Sequence, residues 1–307
     1  MTSEAPALVA EPGRLADRKT VPASGSEVPG ISEIEDGLRI REAALYDRLR
    51  SFPSLIVAYS GGVDSAYLAW AAGQVLGDRT LAVTADSASY PERHRTMALT
   101  IARDFRLAHE IIQTQELARP EYRANAHDRC YYCKNELFTE LSKLAAARGF
   151  SAVADGSNAD DRGDYRPGRR AGREFGIVSP LDDAGLSKDD VRALSRRAGL
   201  PTWDEPASAC LSSRIPYYSE VTEEKLKVIE AAEAALRALD FRVLRVRHHG
   251  EVARIEVART EMPRLLEPEI AASIDGSLRA LGFRYVTVDL RGYRLGSLNE
   301  GLSLRPV

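Results

Sequence analysis

Two short stretches hold the residue types and spacings that could do chemistry. The first is Ser60-Gly61-Gly62-Val63-Asp64-Ser65, adjacent glycines framed by two hydroxyls and one carboxylate. Adjacent glycines let the backbone come close to a ligand, and successive N–H groups at a helix N-terminus form an anion cradle. Asp64 would repel a bare phosphate, so its presence implies Mg²⁺ between carboxylate and phosphates. The run is not a Walker A motif, because no Gly-Lys-Ser/Thr follows and the lysine for a transferring phosphate is missing. It is not the dinucleotide fingerprint either. The bland alternative is an ordinary strand-to-helix turn capped by Ser and Asp.

The second stretch is "DRCYYCKNELF", with Cys130 and Cys133, two of the chain's three cysteines; Cys210 follows in "ASACLSSRIPY". The i, i+3 spacing at the start of a helix puts both sulfurs on one face near the positive end of the dipole, an environment that favours thiolates. Four readings stand side by side. The thiols are buried and inert; they hold structural zinc, with His127 as a fourth ligand; Cys130 and Cys133 form a redox pair that leaves Cys210 idle; or all three hold an iron–sulfur cluster. A [4Fe-4S] cube on three thiolates has one iron without a protein ligand, which can carry an exchangeable sulfide.

The elements that position these residues follow from pattern. The chain has 307 residues, 44% of them hydrophobic, enough for two domains. "SLIVAY", "TLAVTADS", "AHEIIQTQE" and "SAVADGSN" read as strands alternating with helices, which predicts a doubly wound, mostly parallel sheet covered on both faces. Ligands of such sheets bind beyond the carboxyl ends of the strands, where the glycine loop and Asp86 fall. After Pro216 two helix-then-strand units echo each other, "ALDFRVLRVRHHG" against "ALGFRYVTVDLRG" at an offset of 42 residues. They predict a smaller C-terminal α+β domain with a mostly antiparallel sheet, the echo being either a structural duplication or chance. The expected division is a disordered tail over 1–30, an α/β domain over 31–205 and the smaller domain over 206–307.

Charge and composition narrow the function. A net charge of −3 with both signs interspersed argues against a nucleic-acid partner. No signal-peptide core and no membrane-spanning apolar run occur, so a cytoplasmic protein without membrane contact is expected. Reduced thiols follow from that compartment, and three cysteines cannot all pair within one chain.

Two further groups border a site in this reading. "DGSNADDRGDYRPG" places Asp155, Asp160, Asp161 and Asp164 at a strand end, where they hold Mg²⁺ or ribose hydroxyls or are solvated turn residues. Arg245 and Arg247 alternate along a strand and share a face. With Arg214, after Ser212 and Ser213, they form a phosphate clamp or lie on a solvated sheet face.

Taken together, the motifs carry a family resemblance. "SGGVDS" resembles the signature of the PP-loop ATP pyrophosphatases, which split ATP between the α and β phosphates. "ADGSNADDRGDYRPGRRA", "SPL" and "LPTWDEPASACLSSRIPY", in this order, are similar to the LarE-type ATP-dependent sulfur transferases of nickel-pincer nucleotide biosynthesis, from about residue 31 onward. The resemblance implies ATP and Mg²⁺ on Ser60, Gly61, Gly62, Asp64, Ser65 and Asp86, with a pyridinium-3,5-biscarboxylic acid mononucleotide on Ser213, Arg214, Glu233, Arg245 and Arg247. It implies adenylation of the substrate carboxylate, then sulfur transfer. Some members have one cysteine, matching Cys210, which gives up its own sulfur; others have three and are associated with a cluster. Cys130, Cys133 and Cys210 place this chain with the second group, with a [4Fe-4S] cluster as the expected sulfur source and Asp64 and Cys210 as catalytic. A homo-oligomer is the expected assembly. The alternatives are tRNA thiolation and an ATP-binding regulator with structural zinc. One departure stands out: Tyr218 occupies a position where the family pattern usually has glycine.

Overall fold

The computed structural model of the chain describes residues 31–163, 167–206, 209–294, 296 and 297. The tail assigned to residues 1–30, and Asp164 of the acidic loop, lie outside the described residues. Helix α1 (Ile31–Arg50) buries Leu45 and Leu49 and ends ahead of Pro53. A strand–helix alternation then runs through β1 (Leu55–Ala58), α2 (Val63–Leu76), β2 (Thr80–Asp86), α3 (Glu92–Asp104) and β3 (His109–Gln113). After the short α4 (Pro120–Arg123), the long α5 (Arg129–Arg148) leads into β4 (Ala152–Ala154).

All pairings in this sheet are parallel, in the order β3-β2-β1-β4. Successive side chains of a strand point to opposite faces, and both faces here are covered. Leu55 and Val57 pack with Ala66 and Leu68 of α2, whereas Ile56, Leu81 and Val83 pack with Phe138 and Leu141 of α5. That double burial is why the strands read as continuous apolar runs. The chain continues through α6 (Pro167–Glu174), α7 (Pro180–Asp183) and α8 (Lys188–Arg197). A Ser187–Asp190 capping box starts α8, which packs against α2.

The second sheet is built after α9 (Glu223–Arg237), whose N-cap Thr222 accepts a bond from the Lys225 amide. Strands β5 (Leu244–His249) and β6 (Val252–Val257) form an antiparallel hairpin through Gly250 at φ +65°. From there α10 (Met262–Leu265) and α11 (Pro268–Ala280) lead to β7 (Tyr285–Val288), which pairs parallel to β6. The sheet is therefore mixed rather than mostly antiparallel: the two helices carry the chain back to the start of β6, as a crossover must before a parallel partner can add.

The sequence echo has a structural counterpart. At the end of α9, Asp240 turns at φ +62° and the Phe241 amide reaches the Leu236 carbonyl; at the end of α11, Gly282 turns at φ +99° and the Phe283 amide reaches the Leu278 carbonyl. Both phenylalanines are buried in the same core.

A fourth apolar cluster joins the two halves. Tyr122 of α4 and Cys133 of α5 pack with Leu211, Ile215, Val221, Leu226 and Ile229.

Candidate functional site

The glycine loop lies at the carboxyl end of β1, at the head of α2. Gly61 holds φ +66°, and a Cβ there would stand 2.8 Å from the Ala98 Cβ and 2.9 Å from the Ala98 Cα, so α3 can pack this close only against glycine. The Ser65 hydroxyl donates to the Gly62 carbonyl at 3.2 Å and accepts from the Ser60 amide at 3.1 Å. The loop is thus closed on itself, with its amides at the start of a helix. The acidic loop borders it: the Asn158 side chain donates to Asp64 Oδ1 at 3.2 Å, and Gly156 lies against the backbone of Asp64 and Ser65. Asp155 and Asp161 accept bonds from within that loop and from Ser179, and Asp160 accepts the Lys188 amide. Asp86, at the end of β2, pairs with Arg95 and accepts from Gln113.

Sequence reasoning missed Lys188. Its Nζ stands 2.5 Å from Asp64 Oδ2, although 124 positions separate the two residues. It comes from the first turn of α8. The ion pair holds the Asp64 carboxylate at the loop, and a carboxylate is the type of group that holds Mg²⁺ beside phosphate.

A cavity of about 250 Å³ opens between α3, the segment around residues 205–214, α9 and β5. Arg214 and Arg245 line it with Glu233, and so do His94, Arg93 and Arg237. Arg214 meets Glu233 in a two-pronged ion pair, Nε to Oε1 at 2.8 Å and NH2 to Oε2 at 3.0 Å. Burial pushes the Glu233 carboxyl up, and Arg214, with Arg245 and Arg237, more than offsets it, holding the group below the usual range. The other nitrogen of Arg214 donates to the Ala209 and Cys210 carbonyls and to Ser213. One guanidinium therefore ties the cavity to the cysteine turn. Arg245 lies over the Tyr293 ring at 5.1 Å, and burial, then Arg214, lowers its pKa to about 10. Arg247 does not line the cavity. It pairs with Glu256 at 2.7 Å, binds Ser297 and donates to the Ser213 carbonyl. All three arginines are buried, so this strand face is not solvated.

The cysteines lie on two segments that the fourth apolar cluster packs together. Cys130 and Cys133 lie in the first turns of α5; Cys210 precedes the 3-10 turn Leu211–Arg214. Cys130 is exposed, while burial, then Glu116, pushes the Cys133 thiol well up, with Cys210 and Cys130 adding to the shift. Burial opposes the thiolate that the helix N-terminus favours at Cys133. Glu116, itself buried, accepts from Ser87 at 2.5 Å and from Ser89 at 2.7 Å. Among the described residues no three His, Cys, Asp or Glu side chains form a ready-made metal site, and His127 is exposed.

Residues that no motif announced fasten these segments together. Asn125, fully buried at φ +54°, donates to the carbonyls of Ile215, Pro216 and Ser219 and accepts from Arg129. The Tyr122 hydroxyl meets Ser212 at 2.6 Å, and Arg129 donates to the Ser212 carbonyl at 2.9 Å.

A parallel, doubly wound sheet with a glycine loop at its carboxyl edge and a small mixed sheet after it define an α/β protein of the PP-loop kind. No family model matches the chain. An uncharacterized protein of Synechocystis sp. is 44% identical over 248 residues, covering 81% of this chain and 92% of that protein. The pyridinium-3,5-bisthiocarboxylic acid mononucleotide synthase of Lactiplantibacillus plantarum is 36% identical over 267 residues, 87% of this chain and 96% of that enzyme. One of the subunits of the glutamine-hydrolyzing GMP synthase of Methanococcus vannielii is 30% identical over a shorter span, 58% of this chain and 61% of its own length. At nearly full length on both sides, the likeness to the synthase assigns the chain to its family: it belongs to the LarE-type sulfur transferases.

Proposed function

We propose that the chain is an ATP-dependent sulfur transferase that converts a carboxylate of pyridinium-3,5-biscarboxylic acid mononucleotide into a thiocarboxylate, in nickel-pincer nucleotide biosynthesis. The observation that carries this reading is the likeness to the L. plantarum synthase over 96% of that enzyme's length. The glycine loop, the arginine-lined cavity and the three cysteines support it.

In this reading the loop amides from Ser60 to Ser65 take the triphosphate, with Asp64 as the residue that would hold Mg²⁺ and Lys188 beside it. The substrate's anionic groups enter the cavity of Arg214 and Arg245, while Glu233 offsets their charge. The substrate carboxylate attacks the α-phosphorus, the bond to the bridging oxygen breaks, and pyrophosphate leaves with that electron pair. The acyl adenylate then has a leaving group that a bare carboxylate lacks. A sulfur nucleophile at the cysteine site attacks the acyl carbon, and AMP departs with the carbon–oxygen pair. Cys130, Cys133 and Cys210 would hold a [4Fe-4S] cluster, which when bound would supply exchangeable sulfide.

The test follows ATP by phosphorus NMR in the presence of the biscarboxylate nucleotide. AMP and pyrophosphate are expected, and Asp64→Asn should slow their release by about 100-fold or more, as loss of a metal-binding charge at a phosphoryl centre does. Formation of ADP and phosphate instead would rule out adenylation.

A further inference from the structure

We propose that Tyr90 is a positioning residue for the glycine loop: its hydroxyl holds the peptide between Ser60 and Gly61 so that the Gly61 N–H takes its place in the anion cradle. The inference rests on the ATP-dependent reading above and adds to it a residue that no motif assigns.

Adjacent glycines let the loop approach a phosphate, but they also leave its peptides free to face either way, because without a Cβ both signs of φ are open. A peptide is planar and trans, so its C=O and N–H point in opposite directions. In one orientation the Ser60–Gly61 peptide offers an N–H to an anion; flipped, it offers a carbonyl oxygen, which repels one. Ser65 fixes the Ser60 amide and the Gly62 carbonyl, and neither group belongs to this peptide. Among the described residues, the bond that the Ser60 carbonyl accepts comes from the Tyr90 hydroxyl, at 2.9 Å. That bond selects one orientation, with the Gly61 N–H turned away from the phenol.

The tyrosine is itself held in place. Its amide donates to the Ser87 carbonyl at 3.0 Å and closes a turn over residues 87–90, just ahead of α3. Glu116, 2% exposed, accepts the hydroxyls of Ser87 and Ser89 and so pins that turn from behind. The Ser89 carbonyl accepts the Leu211 amide at 2.9 Å, which ties the same turn to the segment carrying Cys210. From the next element, α3 presses Ala98 against Gly61. Turn and helix therefore grip the loop at two adjacent residues, and the phenol decides which way the peptide between them faces.

The experiment compares the wild type with Tyr90→Phe, which keeps the ring and its contact with the His94 ring, 6.4 Å between centroids, and removes only the hydroxyl. Each full-length chain is titrated by calorimetry with the magnesium complexes of α,β-methylene-ATP, which cannot be split between its α and β phosphorus atoms, and of pyrophosphate. Adenosine, which has no phosphate, is titrated by saturation-transfer NMR. At unchanged melting temperature both phosphate ligands should bind about three- to tenfold more weakly to the variant, the net worth of one hydrogen bond, and adenosine as tightly as before. Hydrogen exchange read by mass spectrometry should be faster across residues 60–65 of the free variant, since a loosened peptide opens more often. Wild-type affinity for both phosphate ligands overturns the proposal. So does an equal loss for adenosine, which would make Tyr90 a group for the base rather than for the loop. If the wild type itself binds neither phosphate ligand, the ATP-dependent reading fails and this inference falls with it.

Discussion

Tyr218 stands where the resemblance leads one to expect glycine, and its backbone is one that glycine suits. It holds φ +65°, in the left-handed region, and its amide donates to the Asn125 carbonyl at 3.0 Å. A side chain in that region crowds its own carbonyl, and the ring gives little back because the residue is 69% exposed. The loop keeps this conformation because Asn125 grips it from the other side through three carbonyls. Tyr218→Gly should therefore stabilise the protein by up to about 1 kcal/mol, the relief of strain being partly offset by the greater freedom of glycine in the unfolded chain. Urea unfolding measures it; a drop in stability would show that the phenol contributes more than its exposure suggests.

At the scale of elements, the cysteine site depends on how α5 and the 210–221 segment are pressed together. Ile229 of α9, fully buried, backs the cluster that contains Tyr122, Leu211, Ile215 and Cys133. Ile229→Ala should cost about 2–5 kcal/mol, as other large-to-small core changes do, and should speed alkylation of Cys133 by loosening its cover. Unchanged labelling alongside lost stability would separate the cluster from the thiol. The same elements mark how far the sequence could be read. The glycine loop was legible because one contiguous run sits between an apolar strand and a helix. Lys188 was not, because it reaches Asp64 only once α8 has packed on α2, and its own neighbourhood reads as a capping box. Arg129 and Asn125 follow no periodic pattern, and their meaning comes from contacts made across the fold. The parallel pairing of β7 was hidden for a similar reason, since the sequence between β6 and β7 does not state at which edge, or in which direction, the strand returns.

At the scale of the whole molecule, the cavity between the two halves couples folding to pH through His94. This imidazole is 7% exposed, and burial lowers its pKa to about 4, with Arg93 next, while Arg214 and Arg237 act the same way and Glu205 opposes them. In the unfolded chain a histidine titrates near 6.5. Between these values the unfolded state binds a proton that the folded state refuses, so folding is stabilised by the neutral ring in full above about pH 6.5 and loses that contribution as pH falls toward 4. The loss amounts to up to about 3 kcal/mol, 1.36 kcal/mol for each unit between the two values. His109, His248 and His249 are also held down by burial and add in the same direction. Glu233, Asp190 and Asp289 are held below the usual carboxylate range and lose their contribution only below the pH at which unfolded carboxylates titrate, so the interval from about pH 6.5 to 4.5 belongs to the histidines. Unfolding free energy measured at intervals from pH 7.5 to 4.5 should fall through that range, and His94→Gln should flatten the fall while leaving the weaker shares of the other three. A variant whose profile follows the wild type would mean that His94 takes its proton as readily in the closed cavity as in water, and that the arginines around it do not set its charge.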